Sequence, residues 1–352
     1  MTKNRTRRSI IVLVVLILLT IAAALVACVV GQVHATPHDV TNTILMSWGV
    51  KSDGTTPRIV TSTLWEVRFP RLVIALAVGA GLGCAGALLQ GIFANPLAEP
   101  SIIGVSSGGA VFASGLLAIA SLAGVERSYG FLKWGTALAA FIGALLTTLL
   151  VYSLSRVQGK TVVVNLILVG VAINAMAGGF VTLFSFIGGT MAQSQVVFWQ
   201  LGSLAGAGWS SAVITLIITV IGIVIACLCA PKMDLLALGE NQARHLGVNV
   251  ERFRLCVIIL VAALVGVGVA FAGVIAFVGL IVPHAIRLII GPQHKWLLPT
   301  SAFGGAFVLL VADTCARTII STAELPIGML TSLIGGPIFL LLLRRYLSLI
   351  HI

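Results

Sequence analysis

The sequence predicts an all-α membrane protein with about ten transmembrane helices, folded as one domain over residues 1–352. Of the 352 residues, 59% are hydrophobic and 9% are charged, whereas soluble domains carry roughly 25% charged residues. This composition cannot supply the charged surface that a soluble core of this size needs. The apolar residues also fall into long runs separated by short polar turns, which is typical of a polytopic membrane protein.

Ten apolar segments are predicted along the chain. They lie at about 9–31, 70–92, 101–121, 134–155, 162–187, 210–230, 255–273, 275–290, 298–316 and 327–343. The first is longer than the roughly 7–15 apolar residues of a secretory signal, so we expect it to remain uncleaved. Residues 34–69 are rich in Thr, Pro and Asp and predict an aqueous loop. Residues 188–209 predict an uncharged polar connection.

Two short motifs between spans predict turns. In Asn95-Pro-Leu-Ala-Glu-Pro100, two prolines four residues apart cannot occupy a helix interior, so the chain turns there. Gly159-Lys-Thr161 ends like a phosphate-binding loop. Because Leu154 stands where the first glycine of that loop would be, we interpret it as a basic turn.

The distribution of basic residues predicts the orientation. Placing the N-terminus inside the cell puts two thirds of the 21 Lys and Arg residues on the cytoplasmic side, in agreement with the positive-inside rule. Both termini and the polar stretch Lys232–Arg254 are then cytoplasmic. The outer basic residues are Lys51, Arg58, Arg68, Arg71, Arg127, Lys133 and Arg317. Because the basic residues sit at span ends, the net charge of +11 does not indicate nucleic-acid binding.

The stretch Lys232–Arg254, called the island below, is the longest polar interruption of the apolar chain. It predicts a short amphipathic helix, with Leu235, Leu238, Ala243 and Leu246 near helical spacing. Elsewhere the spans lack the carboxylate or histidine relay of an ion-driven carrier, and Asp313 is the carboxylate predicted to lie inside a span. The histidines and cysteines show no metal-ligand spacing, and no catalytic set is apparent. These features favour a transport component, not an enzyme, that takes its energy from a nucleotide-hydrolysing partner.

Several motifs resemble the permease subunits of bacterial binding-protein-dependent ABC importers, the FecCD type, over about 66–345. The matching stretches are Arg68-Phe-Pro-Arg71, Gly83 to Gln90, Asn95 to Pro100, Gly104 to Gly108, Leu235 to Glu240, Ala243 to Val248, Gly273 to His284 with Arg287, Ala312-Asp313 with Arg317, Glu324 to Gly328 and Gly335 to Pro337. They occur in the order and at the spacing of the family.

The resemblance implies the type II importer permease fold and import of an iron chelate, either a ferric siderophore or haem. Cobalamin import is the alternative within the same family. A self-contained secondary carrier is the alternative from another class. The implied partners are a second copy of the permease or a close paralogue, two cytoplasmic ABC ATPases, an extracytoplasmic binding protein and membrane lipid. ATP and Mg²⁺ would bind to the ATPase, so no cofactor is expected in this chain.

The resemblance also implies roles for three groups of residues. Contact with the ATPase falls to Leu236, Gly239, Glu240, Ala243, Arg244, Leu246, Gly247 and Val248. Lys232 and the pair Arg252 and Arg254 are expected to anchor the ends of the flanking spans at the membrane surface. Docking of the binding protein falls to Arg68, Arg71 and Arg317, although Asp313 lies one turn before Arg317 and could pair with it instead. The path and its gate fall to Val163, Val164, Asn165, Asn174, Gln193 and Gln195. The two valines depart from the small hydroxyl residues that the family often has there.

Overall fold

The computed structural model describes residues 2–50, 54–124, 129–320 and 324–350, so Lys51 and Arg127 lie outside the described residues. The helices are α1 (Thr2–Val29), α2 (Pro37–Ser47), α3 (Arg58–Ser62), α4 (Phe69–Ile92), α5 (Val105–Leu122), α6 (Tyr129–Leu154), α7 (Val163–Ile187), α8 (Gly189–Leu201), α9 (Trp209–Ala237), α10 (Glu240–His245), α11 (Val250–Ala272), α12 (Val278–Ile290), α13 (His294–Ala316) and α14 (Ile327–Ile350). A π-helical segment, Thr63–Arg68, joins α3 to α4, and a 3₁₀ turn, Pro100–Ile103, precedes α5.

All ten predicted apolar segments are helical. Within the described residues, eight helices are long and apolar enough to cross a membrane, and α12 and α14 contain two shorter apolar helices. The α9 helix continues past its predicted end, through Pro231 to Ala237. It continues because Met233 and Leu236 remain buried against the bundle, although the surrounding sequence is already polar.

The bundle packs around α4, whose neighbours are α13, α9, α11 and α12. Small residues bring these helices close together, as is usual in membranes. Backbone atoms of Gly305 and Ser301 on α13 lie where side chains on Gly79 and Gly83 of α4 would project, and Gly279 blocks Gly86 in the same way. The glycines of α4 therefore work as a packing surface.

The prediction that residues 34–69 form a loop is wrong, because much of this stretch is helical. That stretch contains α2, α3 and the π-helical segment. The start of α2 has a capping box, in which Thr36 and Asp39 each accept a hydrogen bond from the other's backbone N–H. The connection predicted at 188–209 is also largely helical, because α8 occupies most of it.

A β-hairpin precedes α7. Its strands are Arg156–Val157 and Lys160–Thr161, paired antiparallel. Gln158 and Gly159 both have positive φ, which is the conformation of a tight two-residue hairpin turn. The basic turn predicted here is therefore confirmed.

Replacing the capping residue, Thr36→Ala, should destabilise α2 by about 1 kcal/mol, because the N–H of Asp39 loses its acceptor. The Thr36 N–H also holds the pKa of Asp39 below its usual range, so the stabilisation is lost as the pH falls through that lowered pKa. Local hydrogen exchange of α2 measures the change. Thr41→Ala, whose hydroxyl only returns to the preceding turn, is the control and should leave α2 unchanged.

Candidate functional site

The island begins in α9 and ends in α11, and its middle folds as the short helix α10 between two glycines. Gly239 and Gly247 have φ of +119° and +85°, a region in which glycine is favoured. Between them, α10 buries Ala243 against the bundle, whereas Leu238 and Leu246 are 62% and 61% exposed. The prediction that these apolar residues share one helix face is therefore wrong, because the chain breaks at Gly239 and turns them outward.

Two predicted island residues have partners within the chain. The Glu240 carboxylate accepts from Arg254 Nη2 at 2.6 Å, and Arg244 lies 3.6 Å from its other oxygen. The Arg254 side chain is 2% exposed and also approaches the carbonyl of Ile92 at the end of α4. The prediction that Arg254 anchors a helix at the membrane surface is wrong, because its charge is buried against Glu240.

A second contact fastens the beginning of the island to the bundle. The carboxylate of Asp234 accepts from the backbone N–H of His294 at 2.8 Å and lies 2.7 Å from its Nδ1. Acidic groups are favoured at helix N-termini, and His294 begins α13. The imidazole is fully buried beside Gly91, where a larger residue would collide with it.

The predicted docking arginines lie at the opposite end of α13. Arg71 pairs with Asp313 at 2.9 Å and with Glu324 at 2.8 Å. Arg68 donates to the carbonyl of Cys28 at 2.7 Å and to that of Val33, while Arg317 donates to the carbonyl of Ala27. Arg317 also lies 3.6 Å from Asp313, the pairing that the sequence left open.

Burial limits what these three arginines offer to another protein. Arg68, Arg71 and Arg317 are 6%, 4% and 8% exposed. Their guanidinium groups hold the end of α1 and the α13–α14 connection in place. Their docking role stays a prediction, and in this conformation Glu324 is the more exposed member of the group.

A polar cleft of about 430 Å³ lies between α5, α7 and α8. Its described lining carries hydroxyl and amide groups without charge, from Ser101, Ser106, Ser107, Asn174, Thr182 and Gln200. Asn174 donates to the carbonyl of Ser101 at 3.2 Å. Asn174 lies eleven residues into α7, about 16 Å along the helix, so the cleft reaches well into the bundle.

The other predicted path residues do not join this cleft. Gln195 borders a separate pocket of about 360 Å³ with Lys133 and Trp199, and Gln193 is exposed on α8. Val163 packs against the core while Val164 is 63% exposed, and Asn165 is half-buried. The structure therefore brings Asn174 together with serines that the sequence did not select.

Glu99 is a partly buried carboxyl that sequence reasoning missed. Its Oε1 accepts from the N–H of Phe277 at 3.1 Å, just before α12. Phe277 has φ of +66°, which is unusual for a bulky residue. Burial raises the pKa of Glu99, and the hydrogen bonds from Phe277 and Ser101 lower it. The Asn95–Pro100 turn was the available signal, but its partner 178 residues away leaves no trace in local sequence.

Comparisons with known proteins show which family the chain resembles. A family model described as the FecCD transport family matches residues 12–345. The chain is 41% identical to the hemin transport system permease protein HmuU of Yersinia pestis, over 80% of this chain and 83% of that protein. It is 40% identical to the cobalamin import system permease protein BtuC of Halobacterium salinarum, over 79% and 72%.

A solved structure has the same overall fold as this chain. A metal-chelate type ABC transporter in an inward-facing conformation aligns with a TM-score of 0.79 and 32% identity, covering 95% of this chain and 98% of that one. The match therefore shows that the two chains share one overall fold.

Proposed function

Because this chain belongs to the FecCD transport family, we propose that it moves an iron chelate, a ferric siderophore or haem, inward across the cytoplasmic membrane. The chain is a multi-pass permease and not itself an enzyme. The observation that carries the proposal is the uncharged polar cleft of about 430 Å³ beside α7. A passage for a large chelate must interact weakly with it, since tight binding would slow release.

The cargo is proposed from the relatives together with the cleft. Hemin and cobalamin appear in the names of two permeases similar to this chain, and the matched structure is a metal-chelate type transporter. Hydroxyl and amide groups can contact the rim of any of these ligands without selecting a charge. Cobalamin import therefore stays the alternative, with selection made by the extracytoplasmic binding protein.

The energy source is proposed to be a separate pair of ABC ATPases acting on the island. The exposed Leu238 and Leu246 beside α10 offer apolar contacts in water, which favours burial by a partner. The inward step is a two-state change that these partners would bias. Asp313 is held between Arg71 and Arg317, which disfavours the alternative of a proton-driven carrier.

The helix directions support an N-terminus on the same side as the island. Arg317 at the end of α13 donates to Ala27 near the end of α1, so these helices finish together. His294 at the start of α13 contacts Asp234 of the island. The start of α1 is therefore proposed to be cytoplasmic with the island, and Arg68, Arg71 and Arg317 to face the binding protein's side.

A second copy of the chain is proposed to complete the path along α7. The most apolar window of α7 is only 22% buried. Its exposed side chains include Val164, Leu168, Val171, Phe180, Leu183 and Phe186. This surface adjoins the polar cleft, so a partner copy there would close the cleft into a passage, while lipid covers the remaining apolar surfaces.

The test is uptake by proteoliposomes that contain the permease with a cognate ATPase and binding protein. We expect ATP-dependent accumulation of a ferric siderophore or haem. Accumulation of cobalamin alone would favour the alternative cargo. Uptake by the permease without the ATPase would contradict the proposal and indicate a self-contained carrier.

A further inference from the structure

A continuous line of polar contacts joins α10 to the hairpin before α7. Arg254 Nη2 lies 2.6 Å from Glu240 Oε1, and Arg254 Nη1 lies 3.3 Å from Glu251 Oε1. The other Glu251 oxygen accepts from the Thr161 hydroxyl at 2.8 Å. Thr161 ends the hairpin two residues before Val163, where α7 begins. α10 thus connects to the beginning of the proposed path through three side-chain contacts.

Because these side chains are buried, movement of one member of the line affects the next. The Arg254 side chain is 2% exposed and that of Glu251 is 19% exposed, so water offers them few substitute partners. A buried charge separated from its partner is strongly disfavoured, and charge-assisted hydrogen bonds are the stronger ones. A displacement of Glu240 therefore either carries Arg254 with it or leaves that buried charge with only its longer contact to Glu251, at 3.3 Å.

The hairpin is suited to pass such a displacement to α7. Its two-residue turn is tight, and Glu251 holds both the backbone N–H of Thr161, at 3.3 Å, and its hydroxyl. On the other side, the N–H of Leu166 already donates to the carbonyl of Val162. A shift of Thr161 therefore acts directly on the first turn of α7.

We propose that Arg254 and Glu251 are positioning residues that transmit movement of α10 to the first turn of α7 and so set the cytoplasmic end of the path. The inference rests on the proposed function for the source of the movement, which is the ATPase. The connection itself is a property of this chain. Its test can therefore be made without the partner.

The first experiment measures hydrogen exchange of the amides at 160–166 in the full-length permease in lipid nanodiscs. Glu240→Ala should raise their exchange by roughly threefold or more although it does not touch them. Thr161→Val should do the same, and the double variant should add little, because both cut one line. Arg254→Met, which cuts its middle, should reproduce the increase. Arg252→Ala removes an exposed charge from α11, the helix that carries Arg254, and should leave the exchange of these amides unchanged.

An unchanged rate in Glu240→Ala, or effects of Glu240→Ala and Thr161→Val that simply add, would overturn the inference. The double-variant comparison decides it even if Arg254→Met does not fold.

The second experiment separates transmission from a purely structural role. In the complex with the ATPase, Thr161→Val should keep assembly and ATP hydrolysis while import per ATP falls roughly tenfold, the scale of one charge-assisted hydrogen bond. Thr161→Ser keeps the hydroxyl and should restore it. Normal import by Thr161→Val, or equal loss of assembly and import, would sink the inference. Absence of import by the wild-type complex would refute the proposed function instead, and the exchange result would still stand.

Discussion

Replacing Arg71 with glutamine is expected to destabilise the permease by about 3–5 kcal/mol, because it leaves a buried carboxylate without its main partner. The side chains of Arg71 and Asp313 are 5% and 2% exposed and lie 2.9 Å apart. The remaining partner, Arg317, is 3.6 Å from Asp313 and already donates to the end of α1. It cannot replace Arg71 without releasing that helix.

Thermal unfolding in detergent measures this effect. A thiol-reactive dye is a suitable probe, because the fully buried Cys84 becomes reactive on unfolding, above a baseline signal from the exposed Cys256. Arg58→Gln, an exposed arginine on α3, removes the same charge and should unfold like the wild type. An Arg71→Gln protein as stable as the Arg58→Gln control would show that the ion pair contributes little.

The second large effect is expected at the island. Leu246→Asp should weaken binding of the ATPase by roughly 10- to 100-fold. The Leu246 side chain is 61% exposed in the free permease, and burying it against the ATPase would contribute about 1.5–3 kcal/mol to binding, which the aspartate variant loses. The fold of the permease should survive, since the side chain has little burial to lose. Import should fall with binding.

Co-purification of the ATPase at a series of concentrations measures the loss. Val50→Asp is the control, because Val50 is 51% exposed and lies between α2 and α3, outside the island. If Leu246→Asp retained the ATPase as well as this control does, the island would not be the contact that the exposed leucines indicate.

Much of this fold could be predicted because membrane spans are encoded locally. A bilayer requires about 20 apolar residues per helix, and eight of the described helices satisfy this requirement by length and composition, whereas the apolar parts of α12 and α14 are shorter. The short helices at 34–69 were missed because the composition of that stretch suggested only a loop. Their signal was the pairing of Thr36 with Asp39 three residues later, which is the signature of a capping box.

The candidate site was harder to predict, because several charged residues that the sequence suggests are on the surface are buried and bind partners within the chain. Arg68 and Arg317 look like surface groups in the sequence, and in the structure they satisfy helix carbonyls. Arg254 looked like a membrane-surface anchor and instead contacts Glu240 and Glu251. Each of these roles depends on a partner brought close by packing, which a single sequence without covariation does not reveal.

The way in which α1 is held against the bundle has a consequence for biogenesis. The main window of this helix is 11% buried, so little except Arg68, Arg317 and the α13 surface fixes its position. Arg317 is synthesised 290 residues after Ala27, whose carbonyl it caps. The first helix to enter the bilayer therefore reaches its final place only when one of the last has been inserted. A chain cut before α13 would leave α1 incompletely docked, and quality-control proteases that sense loose transmembrane helices could distinguish it from a finished permease.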